Sequence, residues 1–180
     1  AETPDLPDRL IFDLDPAEGI GFDAVINGAL ELRTRLQQLG LATFPKVTGG
    51  KGLHVVVPLA TPADAVGWPE AKQFARLVCT QMARDAPDRY TTNMSKKARV
   101  GRIFLDYLRN DRLATAIAPW SPRARAGAPV ARAITWRAVT PELRPNSWHL
   151  ADALPRRDPW QGFAEAAVPL RAAIAKATAT

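Results

Sequence analysis

Cysteine and long apolar runs are scarce in this sequence, and each scarcity excludes a class of protein. The single cysteine, Cys79, has no partner for an intramolecular disulfide, and it lies in a helical apolar pattern. This predicts a buried thiol in a reducing cytoplasm. The longest apolar run, residues 53–60, contains a histidine and a proline. It is far shorter than the roughly 18 to 20 residues that cross a bilayer, so no membrane span is expected.

The length and composition predict one globular domain. A chain of 180 residues, 47% hydrophobic and 23% charged, is long enough for one substantial core and too short for two. It starts AETPDLPDRL, without an initiator methionine and without a basic-then-apolar leader. This start disfavours a secreted product and indicates a piece of a longer protein.

The net charge of +6 is distributed unevenly along the chain. Residues 1–30 contain seven acidic residues and one basic residue, whereas residues 96–125 contain eight basic and two acidic residues. Such a basic segment is either a solvated surface or a binding surface for phosphates. Composition alone leaves both interpretations open.

Hydrophobic periodicity predicts an α/β or α+β fold, in which helices pack on a mixed sheet. Pro45 favours an edge position for the strand that contains it, because proline cannot donate to a strand ladder. The prolines between residues 119 and 155 favour ordered loops and short turns there. The predicted strands are residues 10–15, 42–47, 53–59, 101–108, 114–118 and 131–137, and the predicted helices are residues 23–39, 68–84 and 164–177.

Asp13 and Asp15 are separated by one residue on the first predicted strand, so their side chains point to the same face. Two adjacent carboxylates on a half-buried strand fit a shared divalent cation. The alternative is structural: Asp15 caps a turn before Pro16, and Asp13 protects a strand edge. The motif LIFDLD also resembles the first motif of haloacid dehalogenase phosphatases, but that family continues with Gly-Thr, whereas Pro16 and Ala17 follow here.

Asp106 is a third carboxylate, on a largely apolar predicted strand rich in neighbouring arginines. Taken alone, it is expected to pair with one of these arginines. Together with Asp13 and Asp15, it predicts a different role. Three carboxylates from two strands can hold two metal ions for in-line phosphoryl displacement, which favours nucleotidyl transfer.

The segment TGGKGLH at residues 48–54 has the chemistry of a phosphate cradle. It offers a hydroxyl (Thr48), an ammonium (Lys51), a histidine (His54) and three glycines whose amides can approach an anion. It is not a Walker A loop, because the spacing differs and a strand follows. The alternative is a plain hairpin turn followed by a core histidine. The other histidine, His149, has no comparable neighbours and is interpreted as structural.

With these motifs in order, the sequence resembles the polymerase domain of bacterial ligase D, the ATP-dependent DNA ligase of non-homologous end joining. That domain belongs to the archaeo-eukaryotic primase superfamily. The resemblance implies a primase-like mixed β-sheet with flanking helices. It is carried by PDRLIFDLDP at 7–16, TGGKGLHVVVPL at 48–59, FARLV at 74–78, APDRYT at 86–91, MSKKARVGRIFLDYLRNDR at 94–112, TAIAPWSPRARAGAPV at 115–130 and DPW at 158–160.

The resemblance also implies roles for individual residues. Asp13, Asp15 and Asp106 would be the catalytic carboxylates that bind two Mn²⁺ or Mg²⁺ ions. Thr48 stands where the family usually has serine, which keeps the hydroxyl and adds a methyl group. Any single arginine of the set could instead be a surface residue. The residues that would surround the triphosphate of the incoming nucleotide are Thr48, Lys51, His54, Arg99, Arg109 and Arg123.

The function implied by the resemblance is template-directed nucleotidyl transfer. Nucleotides, preferentially ribonucleotides, would be added to DNA ends during double-strand break repair by non-homologous end joining. The alternative is a non-catalytic remnant that binds DNA ends or nucleotides.

The implied partners are DNA ends with a 5′-phosphate, nucleoside triphosphates, the Ku protein, and the ligase and nuclease domains of the same polypeptide. The implied location is the bacterial cytoplasm, at the nucleoid. The family's polymerase domain extends upstream of PDRLIFDLDP. Residues 1–180 are therefore expected to be a single domain, the catalytic part of such a polymerase domain, without its upstream portion.

Overall fold

Strand β1 is the central element of the fold. The computed structural model describes residues 4–152 and 154–179. Besides a short 3₁₀ turn at Trp136–Ala138, the elements in chain order are β1 (Arg9–Pro16), α1 (Phe22–Gln38), β2 (Phe44–Val47), β3 (Leu53–Pro58), α2 (Trp68–Asp85), β4 (Tyr90–Thr91), α3 (Lys96–Arg99), β5 (Ile103–Asp106), β6 (Arg132–Ala133) and α4 (Arg171–Thr178).

These strands form one mixed six-stranded sheet in the order β4-β5-β1-β3-β2-β6. Strand β1 runs antiparallel to both β3 and β5. Strands β2 and β3 form an antiparallel hairpin around the glycine-rich segment 48–52. Strands β4 and β5 are parallel. The predicted mixed sheet with flanking helices is therefore confirmed.

The two faces of β1 have opposite characters. Leu10, Phe12 and Leu14 are almost completely buried. They lie under helices α1 and α2, both of which pack on β1. On α1 the buried side chains recur every three or four residues, which is the apolar face predicted from the sequence. Ile11, Asp13 and Asp15 alternate with the buried leucines and phenylalanine and point to the opposite face of the sheet.

Strand β2 is not an edge strand, and the prediction from Pro45 was wrong. Strand β6 pairs with β2 through Lys46 and Val47. Pro45 lacks an N–H, but its carbonyl accepts hydrogen bonds from the backbone of Ile134 and from the indole of Trp160. Since one carbonyl with two lone pairs serves both donors, the proline is accommodated inside the sheet.

The predicted strand at residues 114–118 is absent from the described sheet. That segment has no regular secondary structure. Two of its carbonyls accept hydrogen bonds from side chains instead of a neighbouring strand: Arg109 donates to the Thr115 carbonyl at 3.3 Å and Lys46 donates to the Ile117 carbonyl. The predicted strand 131–137 is reduced to β6, and the terminal helix begins only at Arg171, after Pro169. The short elements β4 and α3 were not predicted.

Two smaller expectations are confirmed. Cys79 is buried in α2, 1% exposed. None of the helices in residues 4–152 and 154–179 combines the length and apolarity that crossing a bilayer requires.

Candidate active site

Asp13 and Asp106 are directly opposite each other on neighbouring strands. The register of β1 and β5 pairs these two residues, and Asp15, two positions further along β1, lies on the same face. The three predicted carboxylates are therefore on one face of the sheet, away from helices α1 and α2. Asp106 is buried, while Asp13 and Asp15 are partly exposed.

The strand register continues this row of charge across the sheet. Asp13 pairs with His54 on β3, and His54 pairs with Lys46 on β2. Residues in direct register share a face, so Asp106, Asp13, His54 and Lys46 form a charged row across four adjacent strands. His54 and Lys46 are buried, 3% and 2% exposed. Polar side chains this deep in a fold need partners.

Each carboxylate has a cationic neighbour. The Arg109 Nε lies 3.1 Å from Asp106 Oδ2 and 3.9 Å from Asp13 Oδ2, so this guanidinium bridges the opposed pair. His54 Nε2 is 3.5 Å from Asp13 Oδ2. Asp15 is approached by Lys51 Nζ at 3.3 Å and by Arg99 Nη1 at 3.4 Å. The acidic end of the site is thus neutralised by residues of the site itself.

Asp13 and Asp106 differ in how readily they bind a proton. Burial acts to raise the pKa of Asp13, but the hydrogen bond and charge of His54, together with Arg109, outweigh it and leave this pKa below its ordinary value. Burial raises the pKa of Asp106, and the negative charge of Asp13 adds to the effect. A bound cation would therefore stabilise the ionised form of Asp106 more than it would stabilise that of an isolated aspartate.

Lys46 was not predicted as a site residue. Burial lowers the pKa of its ammonium to about 8, although the charge of Asp13 opposes the shift. Its Nζ donates to the Ile117 carbonyl. In the sequence Lys46 stands between a proline and a valine, with no motif around it. Only the register with His54 reveals that it belongs to the charged row.

The glycine-rich segment is tightly closed on itself and on β1. The Thr48 hydroxyl donates to the Gly52 carbonyl at 3.0 Å, and the Gly50 amide donates to the Thr48 hydroxyl at 3.3 Å. Lys51 Nζ donates to the Pro16 carbonyl at 2.9 Å. At Gly52 an added Cβ would lie 2.8 Å from the Leu14 carbonyl oxygen, so only glycine permits this approach to β1.

A cavity of about 390 Å³ opens between the carboxylates and the glycine-rich segment. Its walls carry seven of the nine predicted site residues. Asp106 and Arg99 do not line it and act on it through Arg109 and Asp15. Arg125 was missed, although the pattern Arg-Ala-Arg places it two residues after Arg123. The lining residues are Asp13, Asp15, Thr48, Gly50, Lys51, Gly52, His54, Arg109, Thr115, Ala116, Ile117, Arg123 and Arg125.

Asp13 and Asp106 have the chemistry that a hard divalent cation requires, because carboxylate oxygens are the preferred ligands of Mg²⁺ and Mn²⁺. Within residues 4–152 and 154–179, no three His, Cys, Asp or Glu side chains form a ready-made ligand group. Asp15 is instead paired with Lys51 and Arg99. A cation bound at all three carboxylates would therefore displace these basic side chains.

Comparison with known proteins identifies the family of this chain. The sequence profile of the family described as "LigD, primase-polymerase domain" matches residues 1–161. The chain belongs to the LigD primase-polymerase family.

Among curated LigD relatives, the multifunctional non-homologous end joining protein LigD of Pseudomonas aeruginosa is 38% identical over 165 residues, which covers 88% of this chain and 19% of that protein. The LigD of Mycolicibacterium smegmatis is 41% identical over 137 residues, covering 76% of this chain and 18% of its own length. The chain thus spans about one fifth of the length of these LigD relatives.

A solved LigD structure has the same fold. The polymerase domain of Mycobacterium tuberculosis ligase D, determined in complex with DNA, superposes with a TM-score of 0.72 at 38% sequence identity. The match covers 76% of this chain and 47% of that one.

Proposed function

We propose that this LigD-family domain catalyses template-directed nucleotidyl transfer to a DNA end. The observation that carries the proposal is the pairing of Asp13 with Asp106 at the mouth of a cavity lined by Lys51, Arg109 and Arg123. Opposed carboxylates beside a cluster of cations suit a reaction in which a polyphosphate is held while one phosphoryl bond is exchanged.

In this mechanism Asp13, Asp15 and Asp106 would hold one or two divalent ions, Mn²⁺ or Mg²⁺. A bound ion of this kind supplies Lewis acidity to phosphoryl oxygens and to the attacking hydroxyl. Arg109, which bridges Asp13 and Asp106, is well placed to turn toward the nucleotide when a cation takes over its carboxylate partners. The site would then exchange internal ion pairs for contacts with substrate.

The nucleotide would lie in the 390 Å³ cavity with its triphosphate against Lys51, Arg123 and Arg125. Guanidinium groups bind phosphate oxygens through paired N–H donors and neutralise the charge that grows on the leaving pyrophosphate. Thr48 and His54 would complete the polar wall. We propose ribonucleotides as the preferred substrates, as the family resemblance implies.

The proposed cellular context is repair of double-strand breaks by non-homologous end joining, at the bacterial nucleoid. The LigD relatives are named for this process, and the M. tuberculosis polymerase domain was solved with DNA. Ku, and the ligase and nuclease domains of a parent polypeptide, are the partners that this context implies. Residues 1–180 would act there as a single catalytic domain.

The competing function is binding without catalysis. The observation that favours it is that every site carboxylate is already paired with a cation of the protein. If these ion pairs hold in the presence of metal, the domain would bind nucleotides or DNA ends and transfer nothing.

The deciding experiment is primer extension by the 180-residue chain on gapped DNA with a 5′-phosphate, supplied with Mn²⁺ and either ribonucleotides or deoxyribonucleotides. We expect templated addition by the wild type and none by Asp13→Asn, which keeps the side-chain shape. Asp85→Asn is the matched control, since Asp85 pairs with Arg35 on the helical side of the fold. Templated addition by Asp13→Asn at the wild-type rate would overturn the carboxylate mechanism. DNA binding without addition by the wild type would favour the competing function.

A further inference from the structure

Residues 119–132 form a hairpin in a region where the sequence predicted mainly ordered loops and short turns, and we call it the arginine hairpin. The Trp120 amide donates to the Ala131 carbonyl at 2.6 Å, and the Arg123 amide donates to the Pro129 carbonyl at 2.8 Å. The chain reverses at Gly127 and Ala128, both at positive φ. The hairpin leads directly into β6, the strand at the end of the sheet farthest from β4.

The hairpin lies in a basic part of the chain that lacks acidic residues. Residues 112–141 contain five arginines and neither aspartate nor glutamate. Arg123 and Arg125, on the hairpin, line the nucleotide cavity, whereas Arg132 lies on β6 at the hairpin base. A strip of positive charge therefore continues from the cavity to the edge of the sheet, and such a strip attracts a polyanion.

At the hairpin base, an arginine lies between two indole rings. The Arg132 guanidinium carbon is 5.6 Å from the centre of the Trp120 ring and 5.0 Å from that of Trp148. Trp148 packs against the hydrophobic core, while Trp120 is 38% exposed. Because Arg132 is held between the rings, it loses little further conformational freedom when it contacts a ligand.

Trp120 is held in an unusual backbone conformation. Its φ is +68°, in the left-handed region that residues other than glycine rarely adopt. The backbone pairing of Trp120 with Ala131 keeps it there, with a large aromatic side chain at the surface. An exposed indole presented in this way beside several guanidinium groups is the combination that binds single-stranded nucleic acid, by base stacking and phosphate contacts.

We propose that the base of the arginine hairpin binds an unpaired stretch of a nucleic-acid strand, with a base stacked on Trp120 and the backbone along Arg132 and Arg125. This inference rests on the proposed function for the nucleic acid as partner. It assigns a surface that begins at Arg125, at the cavity wall, and continues beyond the cavity to Trp120 and Arg132, neither of which lines it. A duplex offers no free base for Trp120 to stack on, because the bases of a duplex are already stacked on each other.

The test compares the wild type with Trp120→Ala and Trp120→Phe in fluorescence anisotropy titrations, using a labelled oligothymidylate and a labelled blunt duplex of equal length. We expect Trp120→Ala to bind the single strand roughly five- to a hundredfold more weakly, the range typical for loss of one stacked base. Trp120→Phe should restore most of the affinity, and neither variant should change duplex binding more than about twofold, since duplex binding depends on phosphate contacts.

Two further measurements make the result decisive. Arg171→Ala is the control for a non-specific loss of affinity from removing a positive charge. Arg171 lies on the remote helix α4 and pairs with Asp64. Photo-crosslinking of bromodeoxyuridine in the single strand to the unmodified protein, followed by peptide mapping, should label Trp120, so the test survives even if Trp120→Ala folds poorly.

Equal losses on single strand and duplex, or crosslinks only elsewhere, would overturn the proposal. Competition by an acidic peptide, such as oligoglutamate, that displaces the oligonucleotide and protects Trp120 more strongly than DNA does would assign the surface to a protein partner instead. Failure of the proposed function is a separate outcome: the wild type would then bind the single strand through Trp120 and yet add no nucleotide.

Discussion

The two faces of the central sheet are built on the same strands and have opposite properties. On β1, Leu14 is fully buried under the helices, whereas its neighbours Asp13 and Asp15 face the cavity. The helical face gains free energy from apolar burial. The open face holds a row of charges that only mutual pairing makes tolerable. On β1, the core residue Leu14 and the candidate site residues Asp13 and Asp15 are therefore separated by the pleat of a single strand, while a second apolar cluster of Val56, Ala133 and Trp160 packs beside Ile11 on the open face.

The largest expected effect is the loss of stability caused by a substitution on the helical face of the sheet. Leu14→Ala truncates a fully buried side chain that packs closely against Gly28. The free energy of unfolding should therefore fall by about 3–5 kcal/mol. Urea unfolding measures this. Leu113→Ala is the matched control, because Leu113 is 88% exposed and should change stability by less than about 0.5 kcal/mol. Similar losses for both leucines would contradict the division into two faces.

On the open face, Asp106→Asn should have the opposite effect: it should reduce activity strongly and stability little. The asparagine side chain keeps the shape of the aspartate, and its amide oxygen can still accept the hydrogen bond from the Leu108 backbone N–H. The substitution removes a carboxylate whose pKa is raised by burial. We expect nucleotide addition to fall at least about 100-fold, while the free energy of unfolding changes by less than about 1 kcal/mol. Primer extension and urea unfolding on the same preparation test this. A loss of stability as large as that of Leu14→Ala would show that Asp106 is a structural residue.

The buried lysine sharpens the comparison through pH. The folded-state pKa of Lys46, about 8, lies below the ordinary lysine value of 10.5. Between these values the unfolded chain binds more protons, so the contribution of Lys46 to stability rises as the pH increases. The stability of the wild type relative to Lys46→Met should therefore rise by about 2–3 kcal/mol between pH 7 and pH 10.

Urea unfolding of both proteins across this pH range measures the difference, and Lys97→Met, at an exposed position on α3, is the control that should show no such slope. Parallel pH curves for the wild type and Lys46→Met would mean that Lys46 is not held in the charged row as the register places it.

The smallest expected effect concerns the join between the glycine-rich segment and the arginine hairpin. Gly49 has a φ of +66°, and an added Cβ would lie 2.9 Å from the carbonyl carbon of Val130. Gly49→Ala should lower the free energy of unfolding by about 1–3 kcal/mol and raise the KM for nucleotide more than it lowers kcat. Gly19→Ala, with a similar φ but open space around it, separates backbone strain from the lost contact. An unchanged KM would show that the hairpin does not depend on this approach.

Local patterns in the sequence were sufficient for much of the fold. The alternation in LIFDLD placed Asp13 and Asp15 on one face, and the spacing of apolar residues predicted α1 and α2 to within a few residues. The predictions failed where side chains replace backbone pairing. Residues 114–118 were predicted as a strand, but Arg109, six residues before Thr115, and Lys46, far away in the sequence, donate hydrogen bonds to their carbonyls.

The candidate site divides in the same way. The motif at residues 48–54 identified Thr48, Lys51 and His54 from their chemistry alone. Lys46 was missed, because nothing near it in the sequence signals a function, and Arg132 gains its place only between two tryptophans that are twelve and sixteen residues away in opposite directions. Both depend on which strands become neighbours.

The sequence by itself determined which face of β1, α1 and α2 each residue occupies, because side-chain direction follows from the local backbone geometry. It also determined the family, through motifs that span most of the chain. Only the tertiary structure decided that Asp106 lies opposite Asp13, that Lys46 closes the charged row, and that a tryptophan stands beside Arg132. Cross-strand register brings together residues that are far apart in the chain. It is stabilised by packing and pairing between side chains of different strands, which no local sequence pattern specifies.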